Sequence, residues 1–549
     1  MHYTLKHMTS QASTGYFAAM PDPEVTVEQC LEHLLRHPLD LFMHRYLLEK
    51  LSELRTDELN RIKDQFAHPV VNCLLAEIRE DSNLLSELVS GDEQLTPLGE
   101  PDICKTDNPE TQYWIKAFEA NVHRLEPLPA FDLDFPYQPG SMPGRMISVG
   151  DIPLPPGIKA PSSPPLSREV AEIAAFRLQN LGILSGQEMR HENSFAPVGL
   201  TRKWFLQREI NTKELSYSLS GIQTAYGRGT DIGSARAGLL MEIVERFCSF
   251  ASVRENRISR LMTDASELIK AEHAQIADQG ANCIHPDHVL PDYPYRGEKL
   301  VWMSAREETS SGPRKILIPA QLVFLFCNLH EKTLFAAPSS TGLAAGASLE
   351  QAEHNALLEV LERDALALGL FSPESCFRLR GKSGPLARIL NELKEKNIDV
   401  IFQDITPDFG LPVYKAFIRD QNGDLYFGSG AHLNAMQAAL SALTEIPVPD
   451  GTRPRAEALS LPLRELDALA LPDFSQNNPE ADLSILKNML LKNGYRPIFA
   501  EITRRDLGFP VVRAIVPGLE PAVDFDRYRR ITSRLRQTFL KKSNRRFRT

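Results

Sequence analysis

Two stretches towards the C-terminus repeat one pattern, and this repeat constrains the fold more than any other feature of the sequence. IFQDITPDFGLPVYKAFI begins at Ile401, and IFAEITRRDLGFPVVRAIV begins at Ile498. Each places a turn with Gly then Pro between two apolar runs, which predicts a strand, a turn and a second strand. A helix-like segment precedes each copy, so a helix followed by two strands is used twice. The sequence therefore predicts an α+β fold, a mixed domain with internal pseudo-symmetry.

A proline-rich stretch at 148–165 separates this part of the chain from the N-terminal region. It contains six prolines between Pro153 and Pro165. So many prolines exclude a helix or a central strand and favour an extended connector. We expect an N-terminal region at 1–147, a linker at 148–165 and a main domain at 166–549. A proline-rich surface loop within a single domain is the alternative.

The N-terminal region has the pattern of several short helices. Thr26 and Gln29 fit a capping box ahead of an apolar helical pattern. Further helix-like stretches occur at 41–54 and 70–80, and Pro and Asp interrupt them. The sequence therefore predicts a small all-helical N-terminal domain, which we interpret as a region for protein interaction.

Bulk properties narrow the class of protein. A chain of 549 residues is too long for one ordinary core, and it contains no run of 18 apolar residues that would predict a membrane span. The net charge of -10 argues against nucleic acid as a nonspecific partner. The seven cysteines form no CxxC pair, which fits reduced thiols in the cytoplasm. A homodimer is expected only because it is the commonest soluble assembly.

The first segment with recognisable chemistry is GRGTDIGSARAGLLMEIVERF. Its Gly227 and Gly229 free the backbone for a tight turn that can approach an anion. In the helix that follows, Glu242, Glu245 and Arg246 share one face. Two carboxylates one turn apart suit the oxygen coordination that Mg²⁺ prefers.

The second segment, SSTGLAAGASLEQAEHNALLEVLERDA, repeats this arrangement of a small-residue loop, a helix and an ExxER motif. Gln351, Glu359, Glu362 and Arg363 lie on one face of the helix. ExxER also arises by chance on amphipathic helices, where Glu and Arg form surface ion pairs of little energetic value. Two occurrences, each behind a glycine-containing loop, weigh against chance.

These segments resemble the YcaO family. The second is similar to the family signature in which SNGLAAGN leads into a helix ending ERDA, and the first to a GKG loop followed by SxxxExxER. LIPAQLVF, GSGAHLNAMQAALSALTE and PVVRAIVPGLEP agree further along the chain. The resemblance covers roughly residues 166–549, and several motifs in the right order are more specific than any one of them.

The resemblance implies ATP and Mg²⁺ as cofactors. By match, Glu242, Glu245, Glu359 and Glu362 would hold magnesium ions that bridge the phosphates of ATP. The sequence has no GxxxxGK[ST] loop, so a Walker-type nucleotide site is not the explanation.

Four further residues are candidates for contacts with the nucleotide: Arg228, Arg246, Gln351 and Arg363. Arg246 and Arg363 would order the glutamates or touch phosphate, and an ordinary helix salt bridge is an equal alternative for both.

The resemblance also implies a reaction on a peptide or protein substrate. Family members are similar in transferring phosphate from ATP to an amide oxygen once a nucleophile has added to the carbonyl. An internal Cys, Ser or Thr then leads to an azoline, and external sulfide leads to a thioamide. Azoline-forming relatives end in a Pro-x-Pro-x-Pro tail, whereas this chain ends KKSNRRFRT, so we expect a non-azoline subgroup with a TfuA-like or other partner protein. No catalytic residue can be named.

Several positions depart from the family pattern. The lysine of GKG is Arg228, and the serine four residues before the first glutamate is Gly238. The asparagine that closes AAGN is Ala347, and a glutamate early in the second helix is Gln351. The arginine before the TE element is Ser441. These losses leave an alternative open, in which the chain is a catalytically degenerate binding or scaffold protein that acts with a partner.

Overall fold

The computed structural model describes residues 1–9, 15–79, 109–129, 146–153, 167–192, 194–325, 327–336, 339–419, 424–447, 463–520, 525 and 529–546. Its strands are β1 His2–Thr9, β2 Gly15–Pro21, β3 Leu184–Arg190, β4 Val198–Asn211, β5 Ser216–Gly229, β6 Val253–Arg254, β7 Arg257–Ile258, β8 Ile269–Ala271, β9 Leu300–Glu307, β10 Arg314–Pro319, β11 Leu343–Ala345, β12 Cys376–Arg380, β13 Ile401–Asp404, β14 Val413–Arg419, β15 Leu425–Ala431, β16 Arg464–Asp467, β17 Ile498–Glu501 and β18 Val511–Ile515.

Its α-helices are α1 Val27–Arg36, α2 Leu41–Ser52, α3 Thr56–Phe66, α4 Pro69–Ile78, α5 Pro109–Arg124, α6 Ser167–Asn180, α7 Ile232–Cys248, α8 His273–Asp278, α9 Leu349–Leu368, α10 Gly384–Glu395, α11 Ala435–Glu445, α12 Pro479–Lys492 and α13 Ser533–Arg546. Helices and strands therefore mix throughout the chain, as expected for the α+β class. No helix among the described residues is long and apolar enough to cross a membrane.

Three sheets organise the strands. The first has the order β2-β1-β5-β4-β6-β7, with β3 paired to β4. The second has the order β10-β9-β17-β18-β11, with β8 paired to β9, and the third has the order β15-β14-β13-β12-β16. Val511 belongs to the core that contains α7, whereas Val512 belongs to the core that contains α9. The second sheet thus separates two hydrophobic cores, and one ExxER helix belongs to each.

The N-terminal hairpin corrects the prediction of an all-helical N-terminal domain, because residues 2–21 include two strands. β1 pairs antiparallel with β2 and parallel with β5, where His2 lies opposite Ser218. Tyr3 and Leu5 are buried while His2 and Lys6 are exposed, which is the period-two pattern of a strand. The expected capping box of Thr26 with Gln29 is present at the start of α1.

Asp40 connects the hairpin, the first helices and the main domain. Its buried carboxylate accepts hydrogen bonds from the Tyr3 hydroxyl (2.8 Å), His33 Nε2 (2.9 Å) and Asn328 Nδ2 (2.7 Å). Burial raises the pKa of Asp40, but the hydrogen bonds from His33 and Tyr3 outweigh that effect and lower it. A single satisfied carboxylate therefore holds three parts of the chain together.

The predicted helix–strand–strand unit occurs twice, as α10-β13-β14 and as α12-β17-β18. Both strand pairs are antiparallel. Gly410 and Gly508 adopt positive φ angles of 73° and 63° in the intervening turns, which is why glycine suits both positions. Because the two units belong to different sheets, the pseudo-symmetry of the whole domain stays a prediction.

The predicted linker lies mostly outside the described residues, since 154–165 are not described. Its first residues pack against the main domain: the backbone N–H of Val149 donates to the Phe409 carbonyl at 2.8 Å. The domain division at 148–165 stays a prediction.

The C-terminal helix α13 anchors the end of α9. Arg534 donates through both terminal nitrogens to the carboxylate of Asp364, one of them at 2.8 Å. The backbone N–H of Glu520 donates to the same carboxylate at 2.8 Å. Asp364 directly follows the second ExxER motif, so this network fixes the helix end that carries the motif.

A buried cation lies beneath α5 on β14. Nζ of Lys415 donates to the Val122 carbonyl at 2.7 Å and lies 4.0 Å from the centroid of the Phe427 ring. Only 1% of Lys415 is exposed, and burial lowers its pKa to about 7. Among the described residues, no carboxylate forms a salt bridge with it.

The lowered pKa of Lys415 makes stability depend on pH. Between pH 7 and 10 the unfolded chain binds a proton at this lysine that the folded chain does not, so the free energy of unfolding rises with pH. The slope is at most about 1.4 kcal/mol per pH unit. We expect Lys415→Met to lose this slope in urea unfolding measured at pH 7, 8 and 9.

Lys394→Met, at an exposed position of α10, is the matched control and should keep the wild-type slope. Identical slopes for Lys415→Met and wild type would contradict the prediction.

Candidate functional site

Both ExxER helices follow a strand and begin at a capped residue. The Asp231 side chain accepts the Ser234 backbone N–H at 3.0 Å at the start of α7. The Ser348 hydroxyl accepts the Gln351 backbone N–H at 3.2 Å at the start of α9. These caps satisfy N–H groups that have no partner within the helix, and they fix where each helix starts and therefore which face its ExxER motif presents.

The glycines before α7 serve close packing, which corrects their predicted role. Gly227 and Gly229 lie within β5, and neither has a positive φ angle. A Cβ on Gly227 would lie 2.2 Å from the Ala235 carbonyl oxygen, and one on Gly229 would lie 2.5 Å from the Ala235 nitrogen. The absence of side chains therefore lets α7 approach β5, and the prediction of a tight turn at these glycines was wrong.

The first carboxylate pair is held by one backbone donor and one arginine. The Tyr226 N–H donates to Glu242 Oε2 at 2.8 Å. Arg246 Nε lies 4.0 Å from Glu242 Oε1, and Arg246 Nη1 lies 3.7 Å from Glu245 Oε1. Arg246 therefore lies beside both glutamates of its own motif, and Glu242 is oriented from the strand as well.

The second pair has an equivalent arrangement with a different donor. The hydroxyl of Ser429, on β15, donates to Glu362 Oε1 at 2.6 Å. Arg363 Nη1 lies 3.7 Å from the same oxygen. Glu359 lies one turn earlier on the same face of α9, and its negative charge acts on Glu245 and Arg246 of α7. The two motifs therefore lie close enough for their charges to interact, and we refer to the space between them as the cleft.

Burial of carboxyl groups marks this cleft. Burial raises the pKa of Glu242, Glu245 and Glu359. For Glu245 the value reaches about 8, because the charges of Glu359 and Glu242 add to burial and outweigh Arg246. Such a group binds a proton readily, and a cation that displaces the proton would relieve the repulsion.

A third element, missed as a site by sequence reasoning, closes the cleft. Glu445 is the last residue of α11, and its Oε1 atom lies 3.8 Å from Arg228 Nη2. Arg228 Nη1 also donates to the Thr444 carbonyl at 3.1 Å. Burial and the charge of Glu362 raise the pKa of Glu445 to about 7. The signal was present, since Thr444 and Glu445 form the TE element of a segment already matched to the family.

Arg513 is a second site residue that the sequence pattern did not reveal. It lies on β18, opposite Leu343 of β11 and Ala500 of β17. Its Nε and Nη1 are buried and have no hydrogen-bond partner. Burial lowers its pKa to about 10, although the charges of Glu359 and Glu245 act in the opposite direction. This cation therefore lies close to a carboxylate of each ExxER helix.

Gln351 differs from the other predicted site residues. Its Oε1 accepts the Ala347 backbone N–H at 2.9 Å. The structure thus places this side chain on the loop before α9, where it orders the backbone. Arg228, Glu242, Glu245, Arg246, Glu359, Glu362 and Arg363 are the predicted residues that line the cleft.

The residues present suit magnesium that is shared with phosphate. Among the described residues, no three His, Cys, Asp or Glu side chains are arranged so that they could hold one metal ion by themselves. Mg²⁺ is commonly bound by one or two carboxylates together with water and substrate phosphates, and paired glutamates fit that mode. Magnesium would supply a cation for the buried glutamates, and phosphate would supply acceptors for the unpartnered Arg513 donors.

Comparison with known proteins bears on the family of this chain. Residues 226–520 match the family model described as YcaO cyclodehydratase, ATP- and Mg²⁺-binding. An uncharacterized protein of Methanothermobacter thermautotrophicus is 28% identical over 342 residues, which is 56% of this chain and 85% of that protein. An uncharacterized protein in the tfuA 3′ region of Rhizobium leguminosarum bv. trifolii is 28% identical over 251 residues, 43% of this chain and 56% of that protein.

A solved structure described as a heterocyclase in complex with substrate and cofactor has the same fold, with a TM-score of 0.50 and 19% identity. The match covers 66% of this chain and 54% of that one. The chain thus spans little more than half the length of the heterocyclase and of the Rhizobium protein.

The raised pKa values predict that binding of preformed Mg–ATP releases protons at pH 7. The free protein holds protons on Glu245 and Glu445 because their pKa values are about 8 and about 7, whereas carboxylates near magnesium must be ionised. Release should fall towards zero at pH 9. Calorimetric titration in two buffers of different ionisation enthalpy measures the number of protons.

Glu245→Gln should release fewer protons than wild type at pH 7. Binding without any proton release at pH 7 would contradict these assignments.

Proposed function

Because this chain belongs to the YcaO family, we propose that it uses ATP and Mg²⁺ to phosphorylate the oxygen of a peptide or protein amide. The activated amide is then modified, as in thioamidation or heterocycle formation. The observation that carries the proposal is the pair of ExxER helices, which belong to different hydrophobic cores but whose charged residues act on one another.

The glutamates divide into two pairs on opposite sides of the cleft. Glu242 and Glu245 would hold magnesium on the α7 side, and Glu359 and Glu362 would hold it on the α9 side. Bound magnesium neutralises the triphosphate and polarises the phosphoryl group that is transferred. Tyr226 N–H and the Ser429 hydroxyl fix two of these carboxylates in advance, so little reorganisation accompanies binding.

The arginines would contact the nucleotide and hold the geometry of the cleft. Arg246 and Arg363 limit the repulsion within each motif at distances of 3.7 to 4.0 Å. Arg228 spans from β5 to the carbonyl of Thr444 and thereby holds α11 against the cleft. Gln351 would act indirectly, by ordering the loop at Ala347.

Phosphorylation solves a leaving-group problem. A nucleophile adds to the amide carbon, and the resulting oxyanion attacks the terminal phosphorus of ATP, so that an O–P bond forms and ADP departs. The C–O bond then breaks with phosphate as the leaving group. The added nucleophile loses its proton to solvent, and ring formation also releases the proton of the amide nitrogen as the C=N bond forms. External sulfide in this role yields a thioamide, and an internal Cys, Ser or Thr yields a ring.

The neighbourhood of the Rhizobium relative supports a partner of the TfuA-like class. That protein is encoded in a tfuA 3′ region, and the N-terminal helices of this chain offer a surface for such a partner. A substrate peptide or protein and this partner would act together with the cleft.

The first test is calorimetric titration of the purified protein with ATP and Mg²⁺. We expect saturable binding by wild type and at least about a hundredfold weaker binding by the double variant Glu242→Ala, Glu359→Ala, because one carboxylate is removed from each pair. The double variant Glu209→Ala, Glu350→Ala changes two exposed glutamates and should bind like wild type.

No binding by folded wild type would overturn the enzyme proposal and favour the scaffold alternative.

The phosphorylation step has an isotopic test. A candidate substrate encoded beside this chain, labelled with ¹⁸O in its amide carbonyl, should transfer the label to inorganic phosphate when ATP is consumed. If the substrate is modified but the ¹⁸O label appears in water and not in phosphate, phosphorylation of the amide oxygen is ruled out.

A further inference from the structure

Arg513 is the residue of the cleft whose bonding is incomplete. Two of its three guanidinium nitrogens, Nε and Nη1, are buried without a hydrogen-bond partner. Buried donors of a charged group are costly when they remain unpaired. The position therefore requires an acceptor that the described part of the chain does not provide.

The location of Arg513 indicates what this acceptor is. Residues alternate across the second sheet, so Val512 and Ala514 face the core of α9 while Arg513 projects from the opposite side. The carboxylate charges that act on Arg513 are those of Glu359 and Glu245, one from each ExxER helix. Arg513 thus lies near one carboxylate of each glutamate pair.

Neither of these carboxylates satisfies Arg513. No salt bridge within 4.0 Å joins Arg513 to a described acidic residue, whereas Arg246 and Arg363 each approach a glutamate of their own motif. If Glu245 and Glu359 turn towards magnesium, they cannot also saturate the guanidinium. The missing acceptor therefore has to arrive with the ligand.

We propose that Arg513 binds a phosphate oxygen of the nucleotide directly, between the two glutamate pairs. The inference rests on the proposed function, because it places the triphosphate in the cleft. A planar guanidinium with several fixed donors suits a phosphate oxygen better than an ammonium does. The strand position adds precision, since β18 is hydrogen-bonded on both sides and cannot shift as a loop can.

The test compares Arg513→Met, Arg513→Lys and wild type by titration with Mg–ATP, Mg–ADP and Mg–pyrophosphate. We expect Arg513→Met to weaken Mg–ATP binding about 10- to 100-fold, the range for loss of a hydrogen bond to a charged group. Arg513→Lys should weaken Mg–ATP binding by a smaller factor, because lysine keeps the positive charge but lacks the several fixed donors of the guanidinium. Weakening for ATP and pyrophosphate but not ADP would assign the contact to the terminal phosphate, and equal weakening for all three would assign it to a phosphate that they share.

The control is Arg378→Met. Arg378 is also a half-buried strand arginine, but Asp399 already satisfies it at 2.8 and 2.6 Å. The Arg378→Met variant should be less stable than wild type but should bind Mg–ATP with the same affinity. Thermal melting of every variant identifies any that are unfolded, and Arg513→Lys provides a second measurement if Arg513→Met does not fold.

The outcomes separate the two proposals. Wild-type binding that survives in folded Arg513→Met and Arg513→Lys would overturn the role of Arg513 and leave the proposed function standing. Absence of wild-type binding would overturn both.

Discussion

Burial of several neighbouring glutamates in one cleft is the constraint on which this structure depends. Glu242, Glu245, Glu359, Glu362 and Glu445 come from three helices, and four of them have raised pKa values. The fold holds them with directed donors from strands and with arginines that are close but not tightly bonded. Such a cleft is unfavourable when empty of cations, and it is therefore prepared for divalent metal and phosphate.

Rigid supports on both sides make this arrangement possible. α7 rests on β5 at a distance that only Gly227 and Gly229 allow, so the first pair cannot drift from the sheet. α9 is capped by Ser348 at one end and clamped through Asp364 by Arg534 near the other. Because the second sheet separates the two cores, each helix can be packed independently and still present its motif to the shared cleft.

Sequence reasoning succeeded where a local pattern carries the information. The helix–strand–strand units, the capping box at Thr26 and the two motif helices all follow from patterns that are continuous in the sequence. It failed where packing between elements, and not a sequence pattern, decides the structure. The alternation at Tyr3 and Leu5 was overlooked, and β1 lies between the neighbouring β2 and β5, whose paired residues are more than 200 positions along the chain. The glycines of the first motif were misread because their contact is with the next helix.

The sequence by itself determined the family, through several motifs in the right order, and the α+β class. It also placed the four glutamates on two helices, whose faces follow from spacing alone. Only the tertiary structure decided that both motifs share one cleft, that Glu445 and Arg513 belong to it, and that Gln351 supports a loop. The physical reason is that helical periodicity fixes which side chains share a face, whereas the charge environment of a carboxylate depends on elements that long-range packing brings beside it.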